Sequence, residues 1–233
     1  MNTLVLASGN RKKLDEMRAI LEPLSHQVVP QSDYDVPEAE ETGLTFVENA
    51  ILKARNACLH TGLPAIADDS GLEVDALNGA PGIFSARFSG ADANDAKNNK
   101  LLIEMLGDLP EAPRTARYQA LLVMMRHAED PTPLICQGTW EGEIVLQPRG
   151  EQGFGYDPHF LLPDLGLTAA EMDPAEKNRV SHRGRAMAAL IARLAGIAAE
   201  AAPTAPGHEH HRRSPRPLYP RALVRAQVPL LRL

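Results

Sequence analysis

The stretch Ala65-Ile66-Ala67-Asp68-Asp69-Ser70-Gly71-Leu72 governs the reading of the chain, with Asn78-Gly79-Ala80-Pro81-Gly82 close behind it. An apolar run that ends in two carboxylates, a hydroxyl and a glycine predicts a strand carrying acidic groups to an open edge, where a divalent cation can sit. Side chains alternate along a strand, so Asp68 and Asp69 cannot face the same side while the strand stays regular. One is expected at the site, the other as a second ligand or a brace. Residues 72–77 read as a separate strand, closed by the tight-turn signal Asn78-Gly79.

On the N-terminal side, residues 2–7 read as a short buried strand, Ser8-Gly9-Asn10 as a turn, and residues 11 to about 24 as a helix. In such a unit the free N–H groups of the first helical turn point above the strand, and Lys13 stands one turn in, which suits an anion such as a phosphate. An ordinary connection with surface lysines is the alternative, since the turn is too short for a Walker loop and lacks the Rossmann glycine spacing. A second apolar piece at 27–30 leads to an acidic loop with Glu38, Glu40 and Glu41. Thr45 and Glu48 then fit a capping box that starts a helix to about His60. Its apolar stripe is Val47, Ala50, Ile51, Ala54 and Cys58, and Asn49, Lys53 and Asn56 share another face, so Lys53 is placed either to enter a site or to stay in solvent.

On the C-terminal side, Arg87 sits between two aromatics, where it either clamps a phosphate or packs at the surface. Asp92 is the expected N-cap of a helix to about Leu106. Strands are expected within 115–127, at 134–136 and at 139–146, giving a mixed sheet instead of strict βαβ alternation. Residues 150–160 are too rich in glycine for a regular strand. Their glycines let backbone approach a ligand, while Phe154, Tyr156 and Asp157 can sandwich and hydrogen-bond a flat heterocycle. Thr168 and Glu171 form another capping-box pattern, and Lys177, Ser181, His182 and Arg183 lead into a helix to about residue 199.

The 233 residues, 44% of them hydrophobic, allow a sizeable core. The net charge of −6 is uneven: residues 201–233 carry six arginines against one glutamate, so that segment is +5 and the rest −11. An acidic body argues against a nucleic-acid surface. Residues 200–233, rich in Pro, His and Arg, are expected to be a disordered tail beyond a domain of residues 1–199. Two cysteines, Cys58 and Cys136, offer neither a zinc spacing nor a disulfide framework, and no segment approaches a signal peptide or membrane span, so a cytoplasmic setting with no membrane partner is expected.

Taken in order, Ser8-Gly9-Asn10-Arg11-Lys12-Lys13, the block from Glu40-Glu41-Thr42-Gly43 through Glu48-Asn49-Ala50 to Lys53-Ala54, Ala67-Asp68-Asp69-Ser70-Gly71-Leu72, Gly79-Ala80-Pro81-Gly82, Phe154-Gly155-Tyr156-Asp157-Pro158 and Ser181-His182-Arg183-Gly184 resemble the inosine/xanthosine triphosphate pyrophosphatase family. The likeness covers about residues 1–197. It implies an α/β fold of two lobes around a long central mixed β-sheet flanked by helices, the nucleotide in the cleft between them, and a homodimer. It also implies Mg²⁺-dependent hydrolysis of non-standard purine nucleoside triphosphates (ITP, dITP, XTP) to the monophosphate and pyrophosphate. In that picture residues 8–13, Lys53 and Ser70 hold phosphates, and Asp69, Glu40 or Glu41, and Asp68 hold the metal. Asp69 also takes a proton from the attacking water. Phe154 and Tyr156 stack on the purine, with Gly155 beside them and Asp157, Lys177, His182 and Arg183 at its edges. The competing readings are the related pyrophosphatases of similar architecture that act on other modified or pyrimidine nucleotides, a nucleotide sensor without turnover, and an interaction protein working through its basic tail.

Overall fold

A computed structural model describes residues 2–201; of the tail expected at 200–233, residues 200 and 201 end a helix, and the expected disorder of the rest lies outside the described residues. One seven-stranded sheet in the order β2-β1-β3-β4-β5-β6-β7 organises them. β1 (Asn2–Leu6) and β2 (His26–Pro30) run parallel and are joined by α1 (Arg11–Leu21). β3 (Ala65–Val74) is parallel to β1, and β4 (Thr115–Met125) and β5 (Leu134–Ile144) follow antiparallel. The sheet is therefore mixed, and it closes with the short strands β6 (Phe160–Leu162) and β7 (Leu167–Thr168).

The three long strands run through three packed clusters, two on opposite faces of one lobe and one in the other. In the first, Ile66, Leu122 and Cys136 pack under Leu14 and Met17 of α1 and under Ala186 and Leu190 of α5 (His182–Ala201). On the opposite face of the same strands, Ala65, Ala67 and Val123 pack under Ala50, Ala54 and Ala57 of α2 (Phe46–Thr61). Farther along, Leu72, Val74, Tyr118, Trp140 and Ile144 pack with Phe160 and with Leu102 and Leu106 of α3 (Asp95–Gly107). Residues 68–71 lie at the waist between these cores.

Several boundaries move relative to the sequence reading, each for a local reason. The predicted pair of strands at 65–77 is a single strand to Val74, because all ten of its residues pair with β4, and this ladder overrides the low strand propensity of Asp, Ser and Gly. The pieces at 134–136 and 139–146 are likewise one strand, continuous through Gly138, whose missing Cβ admits the start of α5. α1 stops at Leu21 because Pro23 turns the chain into a 3₁₀ segment. α3 is capped by Asn94, which accepts from the Lys97 N–H, and not by Asp92, which pairs with the Lys97 ammonium. Thr168 and Glu171 make capping-box bonds without a helix: the Thr168 N–H donates to the Glu171 carboxylate, and the next helix, α4 (Pro174–Val180), starts under Asp173. The box at Thr45 and Glu48 does open α2, with both reciprocal bonds made.

Candidate active site

β1 is where the connections change direction: it has β2 on one side and β3 on the other, and open α/β sheets bind ligands beyond the strand ends at such a point. β1 pairs with β3 only through Val5 and Leu6, and the last bond runs from the Ala7 N–H to the Ile66 carbonyl at 2.8 Å. Past Ile66 the flank of β3 away from β4 has no ladder partner until the bridge between Glu73 and Pro81. Asp68 and Asp69 sit on that open flank, so the acidic edge is lateral, alongside a continuing strand. A polar cavity of about 220 Å³ lies there, lined by Ser8, Gly9, Lys13, Glu41, Lys53 and Asp68 among others.

Strand alternation sends the two aspartates to different helices. Asp68, on the α1 and α5 side, accepts from Lys13 Nζ at 2.6 Å. Asp69, on the α2 side, accepts from Lys53 Nζ at 2.9 Å through Oδ1 only, and its Oδ2 is buried without a partner. Lys53 also reaches Glu41 at 3.2 Å, and Glu41 accepts from Arg87 at 3.1 Å. Arg87, over the Phe84 ring at 5.2 Å, thus extends the charge chain outward.

These neighbours explain the ionisation of the carboxylates. Burial pushes Asp68 up, but the Lys13 ammonium, with Arg183 and Lys53 adding to it, outweighs burial and holds the carboxyl below its ordinary range. Asp69 is raised, because burial outweighs the pull of Lys53, and the nearby carboxylates of Glu41 and Asp68 oppose its ionisation further. Lys53 is also raised: burial opposes its charge, but Asp69, Asp68 and Glu41 together prevail. One lysine shared among three carboxylates stays firmly charged and leaves Asp69 under-compensated.

α2 holds the acidic loop at three points. The Asn49 Oδ1 accepts from the Gly43 N–H at 2.9 Å, Lys53 takes Glu41, and the Asn56 amide donates to the Pro37 carbonyl at 2.7 Å. The face that carries Asn49, Lys53 and Asn56 is therefore a latch for the loop at 37–43. This arrangement brings Glu41 into the site, whereas Glu40 is exposed. Glu38, which the sequence reading noted without assigning it to a site, also lines the cavity. At the turn before α1, the Asn10 side chain accepts from the Lys13 N–H and Ser8 Oγ accepts from the Asn10 N–H, while Arg11 is exposed on the first turn and Lys12 follows it. Ser70 follows Asp69 in β3, opposite Ala120.

The second lobe supplies an aromatic and basic patch. Phe154 is 59% exposed, with Lys177 Nζ and the Arg183 guanidinium each 5.3 Å from its ring centroid. Asp157 works beneath it: its Oδ2 accepts from the Phe154 N–H at 2.8 Å and pairs with Lys177, and its Oδ1 faces the Tyr118 hydroxyl at 3.4 Å. Gly153 has φ of +86°, and a Cβ there would lie 2.2 Å from Asp157 Oδ2, so glycine is needed for the carboxylate to reach in.

Two residues expected to meet a purine are turned inward instead. Tyr156 is 4% exposed, in the second-lobe core, and its hydroxyl donates to the Ser85 carbonyl at 2.8 Å, which removes it as a stacking surface. The Ser85 carbonyl satisfies the hydroxyl that would otherwise keep this ring at the surface. His182 stacks on Tyr118 with ring centroids 4.7 Å apart and 10° between planes. Burial, reinforced by Arg183 and Lys177, pushes its imidazole down to about 3. It is a neutral packing element behind the patch, with Nδ1 buried and unpartnered. Asp95 and Asn99 of α3, which bind the backbone of Gly155, went unnoticed in the sequence because a helix surface gives no sign of what folds onto it.

Residues 4–193 match the sequence profile of the Ham1 family. The chain is 56% identical over 191 residues to a dITP/XTP pyrophosphatase of Thioalkalivibrio sulfidiphilus, a match covering 82% of this chain and 97% of the relative. A dITP/XTP pyrophosphatase of Shigella flexneri matches at the same identity, length and coverage. Among solved structures, a HAM1 protein from Coxiella burnetii superposes with a TM-score of 0.82 at 50% identity, covering 84% of this chain and all of that one. With a profile match over most of its length and relatives covered almost end to end, the chain belongs to the Ham1 family.

Proposed function

We propose that this protein hydrolyses non-standard purine nucleoside triphosphates, ITP, dITP and XTP, to the monophosphate and pyrophosphate, with Mg²⁺ as cofactor. The reading is supported by relatives named dITP/XTP pyrophosphatase and by one observation above all: a buried, unpartnered carboxylate oxygen on Asp69, whose other oxygen pairs with Lys53 of the lysine-lined cavity.

The donor set fits the cofactor. Among the described residues no three His, Cys, Asp or Glu side chains cluster to cage a metal. Mg²⁺ needs no cage, being held by one or two carboxylates while water and substrate phosphate complete its shell. Asp69 through its free Oδ2, with Glu41, would hold it, and Asp68 braces Lys13. When bound, the ion neutralises phosphate charge and acidifies water.

The protein's own groups do the rest. The turn at 8–10 and the first N–H groups of α1 receive phosphate, and Lys13 and Lys53 exchange a carboxylate partner for a phosphate oxygen. Asp69 accepts the proton of the attacking water, and the bridging oxygen leaves with pyrophosphate. Phe154 offers a ring to the purine, and Lys177 and Arg183 present donors beside it. Hypoxanthine and xanthine carry an acceptor oxygen at C6, whereas adenine brings an amino donor there. That mismatch discriminates by roughly 10- to 100-fold per contact. The reading includes a homodimer and a cytoplasmic setting. No helix among the described residues is long and apolar enough to cross a membrane.

A panel of ITP, dITP, XTP, GTP, ATP and dUTP with Mg²⁺ and product identification tests the reading. The expected result is pyrophosphate from the first three well ahead of ATP. A preference for dUTP would assign the chain to a different nucleotide class, and binding without turnover would make it a sensor.

A further inference from the structure

The turn that carries Phe154 is gripped from outside by α3. The Asp95 carboxylate accepts from the Gly155 N–H at 2.7 Å, and the Asn99 amide, one helical turn on, donates to the Gly155 carbonyl at 2.8 Å. Both backbone groups of a single residue are thus taken by one helix face. Gly155 has φ of +61°, in the left-handed region, where its N–H and carbonyl are turned out of any ladder and need partners from elsewhere. On either side the turn is fixed inward, by Asp157 on the Phe154 N–H and by the buried Tyr156 hydroxyl on the Ser85 carbonyl.

Asn99 keeps this orientation at a disadvantage to itself. Its Oδ1 is buried without a partner. Turning the amide over would set that oxygen against the Gly155 carbonyl, two acceptors face to face, so the donor is held on the backbone. α3 is itself anchored between Asn98, whose side chain donates to the Ser85 and Ala86 carbonyls and accepts from Ser89, and Leu102 and Leu106 in the core. The clamp is therefore mounted on a rigid element.

We propose that Asp95 and Asn99 are positioning residues for base recognition, holding the turn at Gly155 so that the Phe154 ring stays presented beside Lys177 and Arg183. Neither touches the phosphate-side carboxylates, so the effect belongs to base seating: the base-dependent part of KM rises and selectivity falls while the chemical step is spared. This rests on the proposed pyrophosphatase reading.

The test is steady-state kinetics of wild type, Asp95→Ala, Asp95→Asn, Asn99→Ala and the Asp95→Ala/Asn99→Ala double variant on ITP and ATP, with melting temperatures alongside. The expected outcome is an ITP KM raised several-fold in each alanine variant and about tenfold in the double variant. kcat stays within about threefold and the ITP-to-ATP ratio of kcat/KM narrows. Asp95→Asn keeps an acceptor oxygen for the Gly155 N–H and recovers most of the loss. Wild type that ignores ITP overturns the pyrophosphatase reading and this inference with it. Wild type that cleaves ITP, with alanine variants that lose melting temperature but keep the wild-type KM and ratio, overturns the inference alone. A fall in kcat at unchanged KM does the same.

Discussion

The two ends of the site are stabilised in opposite ways. Around Asp69 the cations are already taken, Lys13 by Asp68, Lys53 by Asp69 and Glu41, Arg87 by Glu41, with Asp69 itself left under-compensated. Around Phe154 the ring is exposed while everything behind it is fixed, by Asp157, by the stack of His182 on Tyr118, and by α3 on Gly155. A ligand entering the first end must exchange partners, since each lysine given to phosphate leaves a carboxylate uncompensated. A ligand entering the second end meets a surface already in place. The difference teaches why the proposed reading pairs the first end with a cation from outside: carboxylates released by the lysines would be left free to hold one. The second end needs only a ring and a rim of donors.

The largest expected effect removes the first end's unpaired oxygen. Asp69→Asn keeps the size of the side chain and an oxygen for Lys53 but loses the proton acceptor, so kcat on ITP should drop about 10²- to 10⁴-fold. Nucleotide binding, followed by calorimetry, should persist, because Lys13 and the Phe154 patch are untouched. Turnover near the wild-type rate would show that the buried Oδ2 is not the working atom.

At the second end the comparable quantity is stability against acid. His182 sits at about 3 in the fold against an ordinary value of 6.5. A group depressed by folding adds stability that is fully present above its unfolded value and is lost as pH falls. The window is therefore pH 6.5 down to about 3, and the integrated loss is roughly 4–5 kcal/mol. His182→Phe keeps a ring on Tyr118 and removes the proton site, so its urea-denaturation stability should fall less steeply than wild type across that window. Parallel pH profiles would mean that the imidazole is not what acid disrupts.

The first end was legible in the sequence because its chemistry is dense in short motifs. Asp68-Asp69, Lys13 after a strand and turn, and Lys53 on a face with two asparagines each carry their meaning within a few residues. Alternation even predicted that the two aspartates part company. What remained open, Glu40 against Glu41, depended on a loop whose course is set by side-chain bonds to Asn49 and Asn56 on the helix that follows it, which pattern alone does not reveal. The second end was harder. Phe154 and Tyr156 look equivalent in sequence, yet the Ser85 carbonyl meets the Tyr156 hydroxyl inside the second-lobe core, whereas Phe154, with no hydroxyl to place, lies exposed. Inward and outward aromatics in a glycine-rich turn are sorted by partners far away in sequence, and short-range pattern does not contain them.

Base selection sharpens the contrast at a smaller scale. Arg183 lies over Phe154 and also adds to the positive field on Asp68, so both ends feel its charge. Arg183→Ala should narrow the ITP-to-ATP ratio in kcat/KM by about tenfold, the value of one donor that no longer penalises an amino group. If kcat falls and the ratio stands, Arg183 belongs to the phosphate end and the boundary between the two ends lies nearer Phe154.

The smallest effect is expected at the outer rim of the first end. Arg87 pairs with Glu41 at 3.1 Å and lies over Phe84, with its side chain nearly half exposed. Exposed pairs contribute about 0.2–1 kcal/mol, so Arg87→Ala should change kcat/KM on ITP by less than about fivefold and leave the ITP-to-ATP ratio alone. The substitution also releases Glu41 to Lys53 alone, which tightens that pair and partly offsets the loss. A drop of a hundredfold would carry a different meaning. The arginine would then be a polyphosphate contact that exchanges Glu41 for phosphate in the way proposed for Lys53 and Asp69. The exchange of partners that distinguishes the first end would extend one residue farther out than its buried groups suggest.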